Sequence, residues 1–309
     1  MMAKSSVDEY PVIWFQGASC SGCVVSVLNS VSPTVRNLLV DQVLPGKHVN
    51  LRFQPTVMAA AGEMAIEVME STATSCKGQY LLVVEGSIPT KQDGIYGTVG
   101  EKDGREVPIV ERVTSLAADA LAVVALGTCA SYGGIFGAKP NPTGCVGVAD
   151  LLSKAHISTP VINVPGCPPH PDWFTGTVAR ILLGGLPSAD ELDDDGRLLT
   201  FYGKLIHENC PRRAYFDEGK FAKKFGDEGC LHELGCKGPL TYADCPIRLW
   251  NSGLNWCIGS GGVCIGCTQP EFPDLFSPLY VKVSDVDLPV IGEYWLEKER
   301  SAQHEKDSN

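Results

Sequence analysis

The sequence predicts a doubly wound α/β fold with a parallel sheet, followed by a small, irregular module crowded with metal-ligating side chains. Three observations lead there. Short apolar strands alternate with helical stretches through the first 186 residues. Several of those strands run out into glycine beside cysteine. Beyond residue 200 the periodicity fades, and glycine, proline and cysteine take over. Near-continuous apolar strands alternating with helices are the pattern of a parallel sheet covered on both faces.

The elements follow in order. A strand at 12–15 runs into Gly17-Ala18-Ser19-Cys20-Ser21-Gly22-Cys23, and an amphipathic stretch spans 24 to about 39. A strand at 51–53 and a helix at 59–69 come next. The strand 80–84 ends in Glu85-Gly86-Ser87. A helix at 113–120 leads into the strand 121–126, which ends in Gly127-Thr128-Cys129. After a helix at 146–155, the strand 161–164 ends in Pro165-Gly166-Cys167-Pro168-Pro169, and a helix at 173–183 closes the series. Residues 186–197, with the acidic run 191–195, read as an exposed connection to the second module.

In open α/β sheets, ligands bind beyond the carboxyl ends of the strands. Cys20, Cys129 and Cys167 each lie just past such an end, and neighbouring strands would gather them with Cys23 at one site. Glycine beside them lets main-chain N–H groups approach sulfur. Cys20-x2-Cys23 alone is weak evidence, since redox pairs and zinc sites share it. Small buried thiols are the alternative for the whole set. Cys76 and Cys145 have no evident partners and read as such thiols.

The second module carries eight further donors. In order they divide into His207, Cys210, Cys230 and Cys236, then Cys245, Cys257, Cys264 and Cys267. With the first four, eleven of the thirteen cysteines and one histidine make three sets of four. That is the ligand demand of three iron–sulfur clusters, each iron taking a thiolate or occasionally an imidazole. A segment so poor in apolar periodicity is expected to lack a large core of its own and to depend on inorganic crosslinks. Zinc remains open for the second module, since Cys₃His and Cys₄ are structural zinc sets too.

Composition narrows the rest. The chain has 309 residues with 44% hydrophobic content, enough for a real core. A net charge of −11 argues against a nucleic-acid partner. No stretch approaches the roughly 18 apolar residues of a membrane span. Residues 1–10 carry neither a twin-arginine motif nor an apolar h-region, so no targeting signal is visible. An odd cysteine count leaves one over in any disulfide framework, and a chain this size has little need of staples. His48, His156, His232 and His304 are expected at the surface. His170, in Cys-Pro-Pro-His-Pro, is either a donor behind the ligands or a packed ring. Glu85 sits at a strand end in the same crevice, where it either handles protons and shifts a cluster's potential or caps the next turn.

Six motifs together resemble a family: Gly17-Ala18-Ser19-Cys20-Ser21-Gly22-Cys23, Glu85-Gly86-Ser87-Ile88-Pro89, Gly127-Thr128-Cys129-Ala130, Val164-Pro165-Gly166-Cys167-Pro168-Pro169, His207-Glu208-Asn209-Cys210-Pro211 and Gly235-Cys236-Lys237-Gly238-Pro239. They are similar to the small, electron-transferring subunit of nickel–iron hydrogenases, over residues 11–280. The resemblance implies a flavodoxin-like domain at 11–186, a cluster-binding domain at 200–280 and a C-terminal tail at 281–309. It implies a proximal 4Fe–4S cluster on Cys20, Cys23, Cys129 and Cys167, and a distal one on His207, Cys210, Cys230 and Cys236. The medial cluster falls to Cys245, Cys264 and Cys267. Cys257 stands where many members have proline and a three-iron medial cluster, so it offers a fourth thiolate and resembles the nickel–iron–selenium branch. Oxygen-tolerant relatives carry two extra cysteines where this chain has Gly22 and Gly134, which implies an ordinary proximal cluster.

The nickel–iron centre of the family belongs to a large subunit, so no catalytic residue is expected on this chain. The resemblance implies a heterodimer, or a dimer of heterodimers, passing electrons between H₂ chemistry and an external carrier such as a cytochrome c or ferredoxin. It implies a periplasmic setting, with a cytoplasmic one as the alternative. Two other classes stay open: a redox relay docked to a different dehydrogenase, and a zinc-stapled interaction module.

Overall fold

The computed structural model describes residues 8–34, 36–37 and 47–282. Nine strands occur there: β1 (Asp8–Gln16), β2 (Lys47–Phe53), β3 (Leu81–Glu85), β4 (Ile88–Pro89), β5 (Thr98–Lys102), β6 (Arg105–Pro108), β7 (Ala122–Leu126), β8 (Cys145–Val146) and β9 (Val161–Val164). Five of them form one sheet in the order β2-β1-β3-β7-β9, every pairing parallel. Counted along the chain, that is the flavodoxin-like 2-1-3-4-5 order, whose direction of winding reverses between β1 and β3.

Alternation along the strands divides the core in two. Val12 and Trp14 of β1, Leu81 and Val83 of β3, and Val124 and Leu126 of β7 face helices α1 (Gly22–Leu28) and α5 (Pro171–Gly184). Ile13, Phe15, Leu82, Val84, Val123 and Ala125 face α2 (Gly62–Ser75), α3 (Ile109–Ala118) and α4 (Val148–Lys154). Every side chain of β3 and β7 is buried, which is why these strands read as apolar runs interrupted only by Glu85 at the end of β3.

Three local differences from the sequence reading have physical causes. The first helix stops at Leu28, where the Asn29 side chain donates to the Val25 carbonyl at 2.8 Å. The end of the expected stretch at 24–39 lies outside the described residues. The second helix begins at Gly62 because the Gln54 side chain accepts from Thr56 and Val57 and holds the preceding residues in a turn. The hairpin β5–β6 is absent from the sequence reading, although Asp103-Gly104, both at positive φ, is a strong two-residue turn signal. The small ladder β4–β8 gives Cys145 its place as a buried structural thiol.

Residues 186–197 are not the exposed connection that their acidity predicts. Arg197 is 1% exposed and is clasped by Asp193 at 2.7 Å and Asp195 at 3.0 Å. It also donates to the Thr268 carbonyl at 3.1 Å and lies over the rings of Tyr202 and Tyr242. The acids are there to neutralise a buried arginine, and the segment pairs with Asn163 at the sheet's edge.

The second module is built from short turns and bends and shares the core of the first part instead of building a large one of its own. Ile206, Ala222, Leu231, Ala243, Trp256, Ile258 and Val263 continue the core on the α1–α5 face of the sheet. Polar contacts reinforce this seam. Trp173 donates to Asp244 at 2.8 Å, and Arg248 bridges Asp244 and Asp172.

Candidate functional site

The crevice at the carboxyl edge of the sheet collects the first set of donors. Cys20 and Cys23 follow β1, Cys129 follows β7, and Cys167 follows β9. The loop after β1 is laced to the loop after β3 by main-chain bonds between Gly17 and Glu85 and between Ala18 and Ser87. The result is mutual proximity: the Cys23 thiol is pushed up first by burial, then by Glu85, Cys129, Cys20 and Cys167. Cys129 is raised to about 11, chiefly by burial and with Cys167 and Cys20 contributing.

Two glycines show how tight the cradle is. A Cβ at Gly127 (φ +90°) would stand 2.4 Å from the Cys23 sulfur, and one at Gly134 (φ +52°) 2.8 Å from the Cys129 sulfur. Gly22 is less constrained, its notional Cβ lying 3.2 Å from the Cys20 sulfur. No side chain enters at Gly134 without moving the backbone around Cys129.

Glu85 occupies the centre of this floor, wholly buried at the end of β3. One carboxylate oxygen accepts from Ser19 Oγ at 3.1 Å and the Val24 N–H at 3.2 Å. The other accepts from Trp14 Nε1 at 3.1 Å and Gln16 Nε2 at 3.2 Å. Glu85 does not cap the turn that follows it: its carboxylate accepts from the first turn of α1, earlier in the chain, and stands beside Cys23.

Cys245, Cys257, Cys264 and Cys267 form the second set. Cys245 is pushed up by burial, then by Cys267, and more weakly by Cys257. Cys267, raised to about 12, feels burial first and then Cys257 and Cys167. Its sulfur also receives the main-chain N–H of Cys167, so this set abuts the first one. Cys257 is the exposed member, while Cys245 and Cys264 are buried.

His207, Cys210, Cys230 and Cys236 form the third set and line one cavity, with Arg212 and His232 in its wall. Cys236 is raised to about 11 by burial, with Cys210 and Cys230 adding to it. It borders the second set in turn, since Cys236 helps push up Cys264.

The donor chemistry suits iron–sulfur clusters. Burial keeps most of these thiols protonated when bare, so only a strongly bound cation draws out the thiolate. Main-chain N–H groups already aim at the sulfurs: Gly22 at Cys20 and Gly238 at Cys236, both at 3.4 Å. Trp250 adds a side-chain donor to Cys245. Among the described residues, no three His, Cys, Asp or Glu side chains gather tightly enough to clasp a single ion.

Several participants escape the sequence reading. The Thr128 hydroxyl accepts from the Gly166 N–H at 2.9 Å and donates to the Cys267 carbonyl, joining three cysteine-bearing loops. Lys237 is fully buried between Cys236 and Cys264, and its ammonium donates to the Val281 carbonyl at 2.6 Å. Their only sequence signal is adjacency to a candidate ligand cysteine. His170 proves to be a packed ring: Nδ1 accepts from Asp172 N at the start of α5, Nε2 faces the Leu249 carbonyl at 2.8 Å, and Trp250 abuts its edge. Among the histidines expected at the surface, His156 is exposed and His48 is half-buried on β2. His232 is half-buried against Phe216 and Phe221, and His304 lies outside the described residues.

A flavodoxin-ordered sheet with a cysteine-lined ligand crevice, joined to a module rich in soft donors, has the makings of a metal–sulfur protein. Comparison with known proteins narrows it. Residues 202–280 match the family described as the C-terminal part of the NiFe/NiFeSe hydrogenase small subunit, and residues 20–181 match NADH ubiquinone oxidoreductase, 20 Kd subunit. The chain is 48% identical over 280 residues to the periplasmic [NiFeSe] hydrogenase small subunit of Desulfomicrobium baculatum, covering 88% of this chain and 87% of that one. It is 40% identical to the periplasmic [NiFe] hydrogenase small subunit of Solidesulfovibrio fructosivorans, covering 87% and 81%. The solved reduced Ni-Fe-Se hydrogenase of D. baculatum superposes with a TM-score of 0.83, covering 89% of this chain and all of that one. The chain belongs to the NiFe/NiFeSe hydrogenase small-subunit family. Small subunits of this family carry iron–sulfur clusters and pair with a large subunit.

Proposed function

We propose that this chain relays electrons in a hydrogenase heterodimer, between the nickel–iron or nickel–iron–selenium site of a large subunit and an external redox carrier. The observation that carries this reading is the contiguity of the donor sets. The Cys167 main-chain N–H reaches the Cys267 sulfur and the Cys264 main-chain N–H reaches the Cys236 sulfur, so the three sets lie next to one another in series.

In this reading Cys20, Cys23, Cys129 and Cys167 hold a proximal 4Fe–4S cluster within a domain at 11–186. Cys245, Cys257, Cys264 and Cys267 hold a medial one, and His207, Cys210, Cys230 and Cys236 a distal one, within a domain at 200–280. Residues 281–309 form a tail. When bound, such clusters supply one-electron carriers whose potentials follow their ligands, charge and hydrogen bonds. Cys257 makes the medial set four thiolates, and its place beside Cys245 and Cys267 favours a four-iron centre there over a three-iron one. His207, a neutral donor replacing an anionic one, lowers the negative charge of the distal site.

Glu85 and Lys237 give the path a polarity. The carboxylate beside Cys23 disfavours added negative charge at the entrance, and the buried ammonium near Cys236 and Cys264 favours it further along. We take the carrier to be of the cytochrome c or ferredoxin kind, and the setting to be periplasmic, which two relatives' names state for themselves. Among the described residues no helix is long and apolar enough to cross a membrane.

Zinc fits less well. A single zinc ion, with Zn–S near 2.3 Å, draws its donors to within about 4 Å of one another. Anaerobic purification with the co-purifying partner, followed by metal and sulfide analysis, tests the reading. About thirteen irons, one of them beside the nickel, with about twelve sulfides and one nickel per heterodimer are expected. Zinc without sulfide overturns it.

A further inference from the structure

The cavity lined by His207, Cys210, Cys230 and Cys236 has one wall that ligand counting leaves unexplained. His232 stands two residues beyond Cys230, and its main-chain N–H already donates to the Cys230 sulfur. Its ring meets Phe216 edge-on at 5.6 Å and tilts against Phe221 at 6.1 Å. Its Nδ1 is buried and finds no hydrogen-bond partner in the protein.

Buried polar atoms without partners are rare in native proteins, and each one asks for an explanation. An imidazole nitrogen donates when it carries the ring proton, and an acceptor set against Nδ1 holds the proton there. The ring is fixed by two aromatic neighbours, so Nδ1 does not swing away to find a partner elsewhere. What fills the cavity supplies the partner. In the reading given above, which this inference rests on, the cavity holds the distal cluster, whose sulfurs are acceptors.

We infer that His232 donates a hydrogen bond from Nδ1 to a sulfur of the distal cluster, as a donor to the cluster and not a ligand of its iron, and that this bond raises the cluster's reduction potential. The mechanism is electrostatic. A donor aimed at sulfur stabilises the reduced, more negative cluster more than the oxidised one. The distal site would therefore carry two imidazoles in different roles: His207 bound to iron, and His232 fixing the electron-exit potential from one side.

The test uses the intact heterodimer with His232→Phe and His232→Asn. Phenylalanine keeps the packing against Phe216 and Phe221 and removes the donor; asparagine places an amide N–H close to the position of Nδ1. In His232→Phe the distal midpoint should fall by about tenfold in the reduction equilibrium, about 59 mV for one electron. The other two midpoints should hold, and His232→Asn should recover most of the shift. Nitrogen hyperfine spectra of the unmodified reduced protein should show a strong coupling from His207 and a weak one, and only the weak one should vanish in His232→Phe. An unmoved distal midpoint with an unchanged weak coupling overturns the inference, as does His232→Asn falling as far as His232→Phe. Absence of the strong coupling from the unmodified protein would instead overturn the assignment of the distal ligands, and this inference with it.

Discussion

Replacing Thr128 by valine should separate a hydrogen-bond function from a packing one. Thr128 is 1% exposed, and its hydroxyl accepts from the Gly166 N–H at 2.9 Å while donating to the Cys267 carbonyl. Valine has nearly the same shape and opens no cavity, but it leaves one buried N–H and one buried carbonyl unpaired. Each such group costs about 1–3 kcal/mol, so the variant should lose about 2–6 kcal/mol. Serine keeps both bonds and gives up one methyl, worth about 1 kcal/mol. The predicted order of stability is threonine, then serine, then valine, with about 3 kcal/mol between the last two. Hydrogen exchange on the heterodimer, followed in peptides covering 164–169 and 266–269, reads local opening directly; a gap of that size is roughly a hundredfold in opening equilibrium. The same variant should weaken the magnetic interaction between the first and second clusters, because Cys129, Cys167 and Cys267 hang from the loops that this hydroxyl ties. Equal protection in the valine and serine variants, with the interaction unchanged, would refute the reasoning.

Three further outcomes follow from the geometry. Glu85→Gln sets an amide NH₂ against donors already pointing at that oxygen; it should lose at least one charge-assisted bond, at about 1.5–3 kcal/mol, and raise the proximal midpoint, which a redox titration followed by electron paramagnetic resonance would show. Arg197→Met strands Asp193 and Asp195 and should cost about 3–5 kcal/mol, read as a fall in melting temperature, while Arg197→Lys keeps the charge without the fork and should recover only part. Cys257→Pro should turn the medial centre into a three-iron form with a raised potential, and an unaltered resonance spectrum would remove Cys257 from the ligand set.

Most of the crevice is readable in the sequence because a strand end announces itself locally. Apolar runs stop at Gly127-Thr128-Cys129 and Pro165-Gly166-Cys167, and the thiols there have no packing reason to recur. Ligands are also distinctive residue types, so twelve donors stand out by identity alone. What stays hidden is relational. Arg197 looks like one charge beside an acidic run, because nothing in its neighbours says that Thr268 and two tyrosines will bury it. Thr128 and Lys237 pass for punctuation beside cysteines, since a hydroxyl that joins three loops shows itself only when the loops are placed. His232 reads as a surface residue, and the aromatics that enclose it lie 11 and 16 residues upstream. The second module's core is illegible for a related reason: its apolar residues have no helical or strand period, because they fill gaps on a surface supplied by another part of the chain.

That shared core has a consequence for how such proteins can be recombined. Phe201, Tyr202, Trp256 and Ile258 are packed in one cluster with Trp173, Phe174 and Val178 of α5. The module that holds the last two donor sets is therefore not a cartridge that can be unplugged and replaced by a shorter or longer wire. Grafting a foreign module onto residues 8–184 would require carrying over the complementary face of α5, together with Asp172 and Trp173, which reach Arg248 and Asp244 across the seam. On the proposed assignment, an engineer seeking a different terminal electron acceptor should redraw the loops around Cys210 and leave the seam untouched.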